Sequence, residues 1–149
     1  MGHFRTIRGL LLLCVLGISA LQAVAALPDG YWKTEESKAK VHVYSCGGSH
    51  VCGKIVALKE PLDPETKKEK TDPQGRPMIG MEIMKNFSQA GENKWEGGTV
   101  YDPKEGKEYS GEFTLSPDGN TMELRGYMIV TLLGRTQTWH RTTEKAPLK

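Results

Sequence analysis

The chain has 149 residues, with 20 basic and 18 acidic side chains unevenly placed along it. Arg5 and Arg8 fall in the first 26 residues, which hold no acid, so the remaining 123 carry 18 bases against 18 acids. That balance excludes a general nucleic-acid footprint, which needs a basic surplus, and the length supports one core and no more.

Residues 1–26 read as a cleavable secretory signal peptide. Arg5 and Arg8 form its positive start, and residues 9–21 form an apolar stretch too short to span a bilayer. Ala23-Val24-Ala25 supplies a small-x-small cleavage site, with Val24-Ala25-Ala26 one residue later, so the exported chain begins at Ala26 or Leu27. Leu13 precedes Cys14 where a lipoprotein site needs a small residue, and Arg5 and Arg8 are not an adjacent pair as a twin-arginine signal requires. The expectation is a single domain over 27–149, periplasmic or secreted, with no membrane span. Its two cysteines, Cys46 and Cys52, then point to a disulfide, since even counts in oxidising compartments usually pair. The alternative is a metal site formed with His50, which is short of a fourth ligand.

After Pro28 the sequence alternates in short runs divided by turn residues, and no segment carries helical periodicity. Strands are expected over 31–34, 41–44 and 51–58, with Cys46-Gly47-Gly48-Ser49-His50 turning the second into the third. Residues 61–77 hold four prolines and the run Lys67-Lys68-Glu69-Lys70. They read as a solvated loop, with a lid over a barrel mouth as the functional alternative. Further strands are expected over 81–87, 94–101, 108–115, 122–130 and 135–142. Asp102-Pro103-Lys104-Glu105-Gly106 and Ser116-Pro117-Asp118-Gly119-Asn120 supply strong turns between them. Eight strands in hairpin order predict an all-β fold, an eight-stranded antiparallel up-and-down barrel.

Two resemblances join this reading. Gly30-Tyr31-Trp32 and Arg141, at the first and last strands, resemble the Gly-x-Trp opening and closing arginine of lipocalins. The resemblance implies that Arg141 packs across Trp32 and closes one end. A wider signature resembles a bacterial family of exported proteins known only as a domain of unknown function, lipocalin-like in fold. It includes Cys46-Gly47, Cys52-Gly53-Lys54-Ile55-Val56, Asp72-Pro73, Arg76-Pro77 and Trp95-x-Gly97-Gly98. Gly30-x-Trp32, Gly80, Val100-Tyr101-Asp102-Pro103, Gly106-Lys107-x-Tyr109, Leu124-x-Gly126-Tyr127 and Leu133-Gly134-Arg135-Thr136-Gln137-x-Trp139-x-Arg141 complete it. That resemblance implies fold and export, and no activity.

No catalytic motif is present: no His-Glu-x-x-His, Gly-x-Ser-x-Gly, phosphate-binding glycine loop or Cys-x-x-Cys. His42 and His140 lie on strands as packing or surface residues, and the aspartates beside proline or glycine are turn formers. No cofactor, metal or catalytic residue is expected. Trp95, Tyr101, Tyr109, Phe113, Met122 and Met128 are the candidate interior set. Arg135 and Gln137 share the parity of Trp139 and would add polar specificity. The resulting expectation is a binder of a small, partly apolar ligand. The alternative is an envelope interaction module acting through the barrel exterior or the 61–77 loop.

Overall fold

Alternating apolar and polar side chains put one face of each strand inward, and a sheet with one apolar face closes on itself to cover it. In the computed structural model, which describes residues 26–128 and 134–148, the chain does this with eight strands. They are β1 (Gly30–Lys33), β2 (Ala39–Gly47), β3 (His50–Leu58), β4 (Glu82–Gly91), β5 (Lys94–Asp102), β6 (Lys107–Leu115), β7 (Thr121–Tyr127) and β8 (Arg135–Thr142). Each pairs antiparallel with the next, and β1 also pairs with β8, giving the closed barrel expected from the hairpin order. Trp32 faces Val41 on one neighbour and Arg141 on the other. Residues 1–25 of the expected 1–26 signal peptide, and the end of the seventh expected strand, residues 129 and 130, lie outside the described residues.

The β2–β3, β4–β5 and β6–β7 turns gather at one end of the barrel, together with residues 26–29. That end is packed. Trp32 is fully buried and donates from Nε1 to Pro28 O at 2.8 Å. The Arg141 guanidinium lies 4.3 Å from the Trp32 ring centre and donates to the carbonyls of Gly119, Asp29 and Leu27 at 2.6, 2.7 and 2.6 Å. A cation over an indole face contributes about 0.5–2 kcal/mol beyond the buried area.

Aromatic rings fill the middle of the barrel. Trp95 and Phe113, cross-strand partners, stack at 4.9 Å with planes 7° apart, and Phe87 tilts onto Phe113 at 5.2 Å. Phe87 reaches that position because Gly98 and Gly111, themselves paired, carry no side chains. A Cβ on Gly98 would stand 2.5 Å from the Phe87 ring, and one on Gly111 2.7 Å from its tip. Trp139, Met122, Met84 and Leu124 complete the filling.

Strand β5 contains a register shift between Trp95 and Gly98, with Gly97 at φ 74°. A bulge of this kind inserts one residue and reverses the parity beyond it. Trp95 therefore points inward and so do Gly98 and Val100, while Tyr101 points outward. The interior placement expected for Tyr101 fails for this reason.

Residues 59–81 are not an unstructured loop. Leu62 pairs with Glu69 and Thr71 with Pro77, and backbone hydrogen bonds from Asp63, Lys67, Lys70, Asp72, Gly75 and Met78 tie the segment to itself. Gly80 N and Met81 O then bond Ile55, extending the β3–β4 pairing. The residues after β8 cover the outer side of β2, where the buried Lys40 donates from Nζ to Glu144 O and Ala146 O at 2.5 and 2.6 Å. Cys46 and Cys52 form a disulfide with a Cα–Cα distance of 5.6 Å, which removes both as thiolate metal ligands. No helix among the described residues is long and apolar enough to cross a membrane.

Candidate functional site: a recess on the outer wall

Asp72 anchors the site. Its carboxylate is buried, and Oδ1 accepts the backbone N–H groups of Gln74 and Arg76 at 3.0 and 2.9 Å, as an aspartate at a Pro-Gln-Gly turn is placed to do. Oδ2 accepts Arg76 Nε at 2.8 Å, Arg76 Nη2 at 2.6 Å and the Tyr101 hydroxyl at 2.8 Å. Burial pushes this carboxyl upward, but the Arg76 N–H, the Arg76 side chain and Tyr101 outweigh it and hold it at about 2. Asp72 is thus an ionised clamp that pins the 59–81 segment to the outward Tyr101.

The clamp lays Arg76 over the Tyr101 ring, 5.2 Å from its centre, and leaves the side chain more than half exposed. Beside it opens a recess of about 310 Å³ lined by Arg76, Met81, Glu82, Lys85, Tyr101 and Glu108, with Gly106 at its edge. Lys85 and Glu108 approach at 3.5 Å across β4 and β6. Glu82 Oε2 accepts the Tyr44 hydroxyl at 2.7 Å, a bond that, with burial, pushes Tyr44 up to about 12. Tyr44 itself ends an outer row in which Tyr31 stacks on His42 at 4.7 Å and His42 meets Tyr44 at 5.5 Å. The row braces the wall from which Glu82 projects. No group of three metal-ligating side chains occurs among the described residues.

The residues proposed from sequence do not line one common space. Trp95, Phe113 and Met122 are buried in the packed core, against one another and their neighbours. Tyr109 faces inward at the opposite end, half-buried, with its hydroxyl 2.7 Å from Glu105 Oε2. Arg135 and Gln137 share that inward parity and are exposed, and Gln137 accepts Trp139 Nε1 at 2.9 Å. Met128 is 64% exposed instead of interior, because β7 has ended at Tyr127. Sequence reasoning missed Arg76, Glu82, Lys85 and Glu108. Only Asp72-Pro73 and Arg76-Pro77 in the family signature pointed toward them.

Comparison with known proteins agrees with this architecture. A family model described as "uncharacterized protein conserved in bacteria (DUF2147)" matches residues 30–141, from the first strand to the closing arginine. The chain belongs to this family. The match spans Trp32, the disulfide, the Asp72–Arg76 clamp and all of the recess. No curated protein sequence matches. Among solved structures, the chain is similar to Helicobacter pylori protein HP1028, which is described as belonging to the lipocalin family. The TM-score is 0.64 at 19% identity, covering 80% of this chain and 86% of that one. The likeness shows the fold, and this DUF2147 chain is a lipocalin-like barrel.

Proposed function

We propose that this DUF2147 protein is an exported, non-catalytic binding module that engages its ligand or partner on the outer wall formed by the 59–81 segment and strands β4–β6. The observation that carries the reading is the contrast between the two faces of the wall. The interior is taken up by stacked rings, Trp95 on Phe113 and Phe113 on Phe87, whereas the exterior carries a clamped recess with charged and apolar lining. Export rests on the charge, hydrophobicity and cleavage pattern of residues 1–26, and the disulfide suits an oxidising compartment. A carrier of an apolar molecule inside the barrel would need the core rings to part.

Nuclear magnetic resonance with an envelope extract tests this. The indole N–H signals of Trp32, Trp95 and Trp139 report on the interior, and the amides of Arg76, Lys85, Tyr101 and Glu108 report on the wall. Binding is expected to shift the second set and leave the first in place. Shifts concentrated at the indoles would return the function to the barrel interior.

A further inference from the structure

The recess has a charge pattern more specific than its size. Asp72 Oδ2 occupies Nε and Nη2 of Arg76, so the guanidinium is fixed in position. Its Nη1 lies outside the Asp72 pairing, and the Tyr101 hydroxyl also stands close to the guanidinium. Glu82 is used on Oε2 by Tyr44, which leaves Oε1 outside that bond. Lys85 and Glu108 meet only at 3.5 Å, with side chains 41% and 50% exposed, a contact that water and ligand readily loosen. The lining therefore holds two cations, Arg76 and Lys85, and two anions, Glu82 and Glu108, together with Met81 and Tyr101.

A lone anion would gain from Arg76 and be repelled by the two carboxylates, and a lone cation would meet the converse. A molecule carrying both charges satisfies both sets. Tyr101 and Glu108 are register partners on adjacent strands, about 5 Å apart, and Arg76 sits over Tyr101. The opposite charges stand close together, Lys85 Nζ 3.5 Å from Glu108 Oε2, so a ligand whose own charges lie within about 6 Å, as in a dipeptide, would meet both signs inside one recess. A volume of about 310 Å³ is also of the right order for such a ligand.

We propose that the recess is a binding site for a small zwitterion of the free amino acid or short peptide class. Its carboxylate would meet Arg76 and Lys85, and its ammonium would meet Glu82 and Glu108. The proposal rests on the outer-wall reading and adds to it the chemistry of the ligand. Arg76 is the preorganised group, because a guanidinium held on one edge offers its other edge to a carboxylate without further ordering.

Alanyl-alanine serves as the probe, with N-acetyl-alanyl-alanine and alanyl-alanine amide as its blocked forms, titrated into the oxidised mature protein. The free dipeptide is expected to shift the amides of Arg76, Lys85 and Glu108 with a Kd of about millimolar order. Each blocked form is expected to bind roughly tenfold or more weakly, since it leaves one charge set unpaired. Lys85→Met and Glu108→Gln are expected to weaken the free dipeptide while the melting temperature stays within a few degrees, their ion pair being exposed. Arg76→Lys should weaken it further, and a thermal melt of that variant separates lost binding from a loosened 59–81 segment. Equal binding of all three probes at the wall would overturn the zwitterion class and leave the wall as the site. Shifts at the tryptophan indoles would overturn both readings. No shift with the free dipeptide at tens of millimolar would overturn the zwitterion proposal outright.

Discussion

Asp72 shows how much one side chain decides. It is a turn former, as its Pro73 and Gly75 neighbours imply, but its buried carboxylate also gathers two backbone N–H groups, a guanidinium and a phenol. An ordinary value of 3.8 lowered to about 2 makes the ionised form part of the fold. The sign follows: stability from this group is present above about pH 4 and is lost as pH falls toward 2. Thermal melts between pH 6 and pH 2 are therefore expected to drop more steeply for the natural protein than for Asp72→Asn. Other depressed carboxyls, among them Asp63 and Asp118, contribute to both proteins and cancel in the comparison. Parallel curves would show that Asp72 does not anchor the segment.

The strand β5 carries the element-scale lesson. Its sequence alternates well enough to be identified as a strand, and its bounds, Lys94–Asp102, lie within a residue of the expected 94–101. Its facing was not legible, because the bulge at Gly97 reverses parity halfway. Beyond the bulge, Gly98 makes room for Phe87. Gly98→Ala would place a Cβ 2.5 Å from the Phe87 ring and 2.6 Å from Lys85 O, both below contact distance. Overpacking of this kind costs roughly 1–3 kcal/mol, several degrees in melting temperature. Adding Phe87→Leu is expected to recover part of the loss and not all, since the Lys85 carbonyl remains. A Gly98→Ala protein that melts with the natural one would mean that Phe87 does not cross the barrel at this level.

For the whole molecule, the question is whether a lipocalin-like barrel is a container. Eight strands enclose an interior of a size that side chains either fill or leave open for one small ligand. In this protein Phe87, Phe113, Trp95, Trp139 and Met122, all at most 3% exposed, take that space. An apolar reporter dye is therefore expected to show no saturable binding to the natural protein. Phe87→Ala should cost about 3–5 kcal/mol and open a cavity lined by apolar groups, which then binds about one dye per protein. Saturable binding to the natural protein would show the interior to be accessible and would favour a carrier.

Eight strands, their order and barrel closure were readable from alternation and turn residues, because both are local: period two sets a face, and Pro, Gly, Asp and Asn set the breaks. The Cys46–Cys52 pairing was readable from a count of two, and Trp32 with Arg141 from the family pattern. Met128 and Tyr101 were misplaced because strand termination and bulges depend on neighbouring strands, which period two does not record. The recess was hidden for the same reason at longer range. Arg76 comes from the 59–81 segment, Glu82 and Lys85 from β4, Tyr101 from β5 and Glu108 from β6, and the side-by-side pairing of β4, β5 and β6, the β5 bulge and the Asp72 clamp bring them to one place. Whether the interior was full or empty was also beyond the pattern, since Gly98 and Gly111 admit the Phe87 ring only through the register of β4, β5 and β6.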